Sequence, residues 1–163
     1  MKKLLCVVLA ICLCLGLCAC GQKEVAQVSH TFKDLTISLP ENFIDLSDEA
    51  YATGLEFLQG LDPIAVNGLR EEKSVFASYG LELDLERYAK LVVMANNLSV
   101  QPQEIDGVLT FTYEATTDGV SYTYVVTVWE TESAFWTVQA YCPTADYAKV
   151  QDQMWEILKS VQV

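Results

Sequence analysis

Hydrophobic positions recur along this chain with two distinct periods after an unbroken apolar run over residues 4–17. Leu35, Ile37 and Leu39 alternate with polar residues and stop at Pro40, which predicts a half-buried strand. Leu46-Ser47-Asp48-Glu49 then reads as a helix start. Ser47 stands at the N-cap, acids fill the first turn, and Leu46 is placed to staple onto Tyr51. The predicted helix covers 47–58, with Tyr51, Leu55 and Leu58 on one face and Gly54 weakening it. Asp62-Pro63 and Asn67-Gly68 punctuate a stretch without clear period, and 73–79 reads as a strand. From Asp84, a helical stripe of Leu85, Tyr88, Ala89, Val92 and Ala95 runs to a stop at Asn96-Asn97, supported by Glu86 and Lys90 at i,i+4.

The strongest pattern lies in 108–142. Asp118-Gly119 is a two-residue hairpin turn, and a type I′ geometry there sets Ala115 opposite Tyr122, Tyr113 opposite Tyr124 and Phe111 opposite Val126. One face is then apolar; the other carries Thr110, Thr112, Glu114, Ser121, Thr123 and Thr127. A one-residue slip would mix the two, so turn chemistry and burial agree. If residues 131–133 form the next loop, Trp136, Val138, Ala140 and Cys142 align with Val128, Val126, Tyr124 and Tyr122 and extend the apolar face across three strands. A loop of two or four residues would break this parity. Pro143 ends the strand, and Thr144 is the expected cap of a last helix carrying Tyr147, Val150, Met154, Ile157, Leu158 and Val161 on one side, suited to cover the sheet. The fold class expected is α+β, an antiparallel sheet with a C-terminal three-stranded meander packed by helices.

Phe32-x-x-Leu35-x-Ile37-x-Leu39-Pro40-x-x-Phe43, an aromatic strand ending near Cys142 and a closing helix through Ile157-Leu158-Lys159-Ser160-Val161 together resemble the PsbP-like fold of many small bacterial lipoproteins. The resemblance covers most of residues 28–163 and consists of core positions, so it implies a fold and, by analogy, an accessory or binding role, with no functional residue carried over.

Residues 1–20 read MKKLLCVVLAICLCLGLCAC: two lysines, the apolar run, then small residues, the layout of a secretory signal peptide. The run falls short of the roughly 20 residues that a spanning helix needs. Leu17-Cys18-Ala19-Cys20 before Gly21 resembles the bacterial lipobox. Cys14 and Cys18 each follow a bulky Leu, whereas Cys20 follows the small Ala19. The resemblance implies that 1–19 are removed as a lipoprotein signal peptide. Cys20 then carries a diacylglyceryl thioether and fatty chains such as palmitate, 20–29 form a polar tether, and 30–163 form one domain. The expected localisation is the extracytoplasmic face of the cell membrane, held by the lipid, because two or more acyl chains anchor where one does not.

Composition adds exclusions. Ten Lys and Arg stand against 22 Asp and Glu, a formal charge of −12 that becomes −14 once Lys2 and Lys3 leave with the leader. No stretch beyond residue 3 has adjacent basic residues, so nucleic acid is excluded as a partner bound through charge. Of six cysteines, four leave with the leader and Cys20 is acylated, so Cys142 stands alone and stability must come from a core.

Candidate chemistry is sparse. His30 is the one histidine, next to the tether, and reads as a partly exposed strand residue. Cys142 reads as a buried structural thiol. The acids Glu41, Asp45, Asp48 and Glu49, and Glu82, Asp84 and Glu86, lack calcium-loop spacing and read as caps and solvated faces. No phosphate loop, G-x-S-x-G or post-leader C-x-x-C occurs, so no catalytic residue, metal ligand or cofactor is expected. On the Thr-rich face the registers gather Val108, Trp129 and Phe135 at one end, with Val125, Thr127, Thr137 and Tyr141 beyond. That group is either a docking patch or a second core layer under the 47–58 helix. The expected function is a lipid-anchored accessory module of the bacterial envelope that binds a protein or small ligand without catalysis; the alternative is a surface hydrolase working through carboxylates.

Overall fold

The turn at Asp118-Gly119 is built as its sequence demands, with φ of 50° and 81° at the two positions. It closes a long hairpin in which Phe111 faces Val126, Tyr113 faces Tyr124 and Ala115 faces Tyr122. Around this hairpin the computed structural model describes residues 25–46, 48 and 54–163. Cys20 with the leader, and Ser47 and Tyr51 of the expected 47–58 helix, lie outside the described residues.

The elements run β1 (Gln27–Phe32), β2 (Leu35–Pro40), β3 (Ile44–Asp45), β4 (Phe57–Leu61), β5 (Ile64–Glu72), α1 (Lys73–Ser78), α2 (Leu85–Ala95), β6 (Gln103–Ile105), β7 (Val108–Thr117), β8 (Val120–Glu130), β9 (Ala134–Pro143) and α3 (Thr144–Lys159). β1 and β2 form a separate hairpin, and the other strands make a seven-stranded sheet in the order β3-β4-β5-β9-β8-β7-β6, antiparallel throughout. The fold is α+β. β1 begins inside the stretch expected as tether, since Gln27, Val28 and Ser29 pair with Pro40, Leu39 and Ser38. Thr144 is the first helical residue of α3, with Pro143 at the cap position.

The meander departs from the expected register by one residue. Trp129 faces Trp136, Thr127 faces Val138 and Thr123 faces Cys142. The cause is the turn. The Thr131 N–H donates to the Ala134 carbonyl at 2.9 Å and the Thr131 hydroxyl accepts from the Ala134 N–H at 3.0 Å, so the side chain takes the acceptor place and shortens the loop to Glu132-Ser133. Trp136, Val138, Ala140 and Cys142 therefore join the Thr-rich face. That face holds the main core: Leu35, Ile37 and Leu39 of β2 and Met154, Ile157 and Leu158 of α3 close over Phe57, Val66, Val125, Trp136 and Val138. The final helix thus covers the sheet, as its stripe predicts, but over the face that looked polar in the hairpin alone.

Two further expectations are corrected. Residues 73–78 form a helix, because β5 loses its partner where β9 begins: Glu72 pairs with Ala134, and beyond it the backbone must satisfy itself. Phe57 and Leu58 belong to β4 instead of ending the 47–58 helix. The hairpin of β4 and β5 turns at Asp62-Pro63, and Asn67-Gly68, read as punctuation, lies inside β5. Gly68 is there for space. A Cβ on it would sit 2.2 Å from Cε1 of Phe57, a ring that is fully buried and stacked on Phe32 at 4.2 Å. Gly68→Ala is expected to cost about 1–3 kcal/mol in chemical denaturation, as overpacking does.

One polar cluster ties the layers together. Asp34, in the β1–β2 turn, accepts from Arg70 Nε at 2.9 Å and Nη2 at 3.1 Å, from the Trp136 indole at 2.8 Å and from the Thr131 hydroxyl at 2.8 Å. The Arg70 guanidinium, together with the other donors, holds the Asp34 carboxyl well below the usual carboxylate range. Arg70 also meets Glu72 and Ser133.

Candidate functional site

Among the described residues, the opposite face of the sheet is only partly covered. Alternation along β5 puts Asn67, Leu69 and Glu71 on it, and the antiparallel register sets Gln139 and Thr137 of β9 beside Asn67 and Leu69. Phe111 and Tyr113 of β7 and Val126 of β8 continue the floor. α2 forms the opposing wall. Asp84 caps it by accepting from the Arg87 N–H at 2.8 Å, Glu86 pairs with Lys90 at 2.6 Å, and Tyr88 and Ala89 of the expected stripe are buried, with Val93 buried in place of the half-buried Val92 and the exposed Ala95. Between wall and floor lies a cavity of about 430 Å³, lined also by Leu55, Leu91, Val92, Ala95, Asn96 and Leu98.

One end of the cavity is fixed by Tyr88. Its ring stacks on Phe135 at 4.5 Å, with Phe76 of α1 edge-on to both. Its single hydroxyl proton goes to Glu71 Oε2 at 2.8 Å, so the Thr137 hydroxyl, 2.9 Å away, donates to the phenol oxygen. Burial pushes the Tyr88 phenol well above its ordinary range, so it remains a donor. At the other end, Tyr113 stacks on Tyr124 at 4.7 Å and Tyr124 on Tyr141 at 5.1 Å, a row of rings across three strands. Burial, with Tyr124 beside it, pushes the Tyr113 phenol up to about 12. Between these ends Asn67 is buried, and among the described residues no buried side-chain nitrogen or oxygen lacks a hydrogen-bond partner.

The residues singled out in the sequence do not form one patch. Trp129 and Val108 lie on the α3 side of the sheet, where Trp129 packs against the core and its indole donates to the Thr127 hydroxyl at 3.0 Å. Phe135 is on the other side, buried under Tyr88, and Tyr141 stands in the tyrosine row. The register shift separates them. Asn67 escaped sequence reading because Asn67-Gly68 mimicked a turn, Glu71 and Gln139 were not singled out, and Thr137 was placed on the other face; the tyrosines at 113, 122 and 124 were the usable signal. His30 is a half-buried β1 residue facing Ile37. Cys142 is fully buried, and burial raises its thiol. Among the described residues no group of His, Cys, Asp and Glu is arranged to hold a metal ion.

No protein-family model matches this chain, and no curated protein matches it. Among solved structures it is similar to a crystal structure from Bacteroides thetaiotaomicron, with a TM-score of 0.55 and 12% identity over 84% of this chain and 47% of that one, so it spans about half the length of that protein. It is also similar to the solution structure of cyanobacterial PsbP from Synechocystis, with a TM-score of 0.47 and 15% identity over 91% of this chain and 99% of that one. The chain is an α+β protein with an antiparallel sheet, and it shares that fold with the Bacteroides structure.

Proposed function

We propose that this protein is an accessory binding module, anchored by lipid on Cys20 at the extracytoplasmic face of a bacterial membrane, that takes a small ligand in the cavity between α2 and the β5–β9 floor. The cavity carries the proposal. Apolar walls with a few placed polar groups are the general form of a small-molecule site, and about 430 Å³ is at the lower end of the usual range. The lining favours binding over carboxylate hydrolysis, since that chemistry sets two carboxyls across the scissile bond and Glu71 is the carboxylate found in the lining. The anchor rests on Leu17-Cys18-Ala19-Cys20 after an apolar leader.

Both halves are tested on the full chain in membranes. An alkyl diazirine photoprobe is expected to label residues 91–98 and β7, and Ala95→Trp, placed on the exposed rim, to remove that labelling. Labelling indifferent to Ala95→Trp counts against the site. Cys20→Ala is expected to move the protein from the membrane to the aqueous fraction; persistence with the membrane counts against the anchor.

A further inference from the structure

We infer that the cavity receives the amino-terminal end of a short apolar peptide; this rests on the cavity being a binding site and names what it binds. The argument starts from charge. Among the described residues of the lining Glu71 is the charged one and none is Lys or Arg, so a cationic group is the natural complement and anions such as fatty acids or phosphates are repelled. Tyr88 holds one Glu71 oxygen, Oε2, and Thr137 holds Tyr88, so the carboxylate is oriented before any ligand arrives.

The second requirement comes from Asn67 and Gln139. They are directly opposed across β5 and β9, and each presents both a carbonyl and an NH2 group. Gln139 is met by the Tyr113 hydroxyl only at 3.5 Å, and Asn67 lies beside it on the cavity floor. A contact that long is a weak hydrogen bond, so the Gln139 carboxamide gains from a better-placed partner. A peptide group, with one N–H and one C=O, satisfies such a carboxamide from both sides.

Spacing joins the two. Asn67 and Glu71 lie four residues apart on one face of β5, about 13 Å at the usual rise. Three extended residues span about 10 Å, and the side chains at either end close the remainder. Leu69 lies between them, and Leu91, Val92, Leu98 and Phe111 offer apolar surface for the ligand's side chains. An amine alone would leave the carboxamide pair unused, and an amide alone would leave Glu71 without a countercharge.

Competition against the photoprobe on the full chain in membranes reads the outcome. Trileucine with a free amino terminus is expected to suppress labelling of residues 91–98, and N-acetyl-trileucine to need at least about tenfold more, the factor a charge-assisted hydrogen bond supplies. Glu71→Gln, which can still accept from Tyr88, should bring the two peptides within about twofold of each other, and Asn67→Leu should weaken both. Equal competition by the two peptides on the wild-type protein, or an undiminished preference in Glu71→Gln, overturns the inference. Labelling of the site with no competition by either peptide overturns the peptide while leaving the binding site standing; loss of site labelling removes both.

Discussion

Asp34→Ala is expected to lower the stability of the domain by about 3 kcal/mol, read as an earlier midpoint in urea with an unchanged slope. Asp34 does not sit in the core, but it closes the hydrogen bonds of Arg70, Trp136 and Thr131, which come from β5, β9 and the β8–β9 turn. The Arg70 side chain is only 8% exposed, so removing its main partner leaves a guanidinium with Glu72 as its countercharge and the Ser133 hydroxyl beside it. Loss of one member of a buried pair costs about 3–5 kcal/mol, and the remaining Glu72 places the effect at the low end. The pH dependence has a definite sign. The folded Asp34 carboxyl is depressed, so its contribution is fully present above the unfolded value near about 4 and is lost as pH falls from there toward the folded one. Asp34→Asn should therefore flatten the acid limb of the stability profile below about pH 4. An acid limb as steep as that of the wild type would show that other carboxylates dominate it.

The second large effect is expected at Trp136. It is fully buried, lies 6.5 Å from the Phe57 ring between centroids, and donates to Asp34. Trp136→Ala should cost at least about 3–5 kcal/mol, from the cavity and the lost indole partner together. Trp129→Ala, at a half-buried position with a hydrogen bond only to Thr127, should cost clearly less. Because Trp136 and Asp34 are bonded, their losses should not add, and a double-mutant cycle is expected to show coupling above about 0.5 kcal/mol. Additive losses would mean that the indole does not work through Asp34.

The sequence carries those parts of this fold that have local rules. Asp118-Gly119 sets the hairpin register, Leu35, Ile37 and Leu39 set the inward face of β2, and Asp84 with Glu86 and Lys90 places α2. It loses its grip where a side chain takes over a backbone role or a third strand decides. The Thr131 hydroxyl accepting from the Ala134 N–H has no composition signal, yet it moves every residue of β9 to the other face. β5 is buried on both sides for much of its length, so its pattern does not alternate, and Asn67-Gly68 presents turn chemistry inside a strand because Phe57 needs the room. The cavity was illegible for the same reason: its polar floor is assembled from β5 and β9, the two strands whose placement required the register.

The depth of Cys142 gives the domain an internal gauge. Among the described residues it is the free cysteine, and it has no exposed surface in the folded state. An alkylating reagent in the medium can reach that sulfur only while β9 is transiently released from the sheet, so its slow consumption clocks how often the structure breathes. The same seclusion keeps neighbouring copies from cross-linking through it under oxidising conditions.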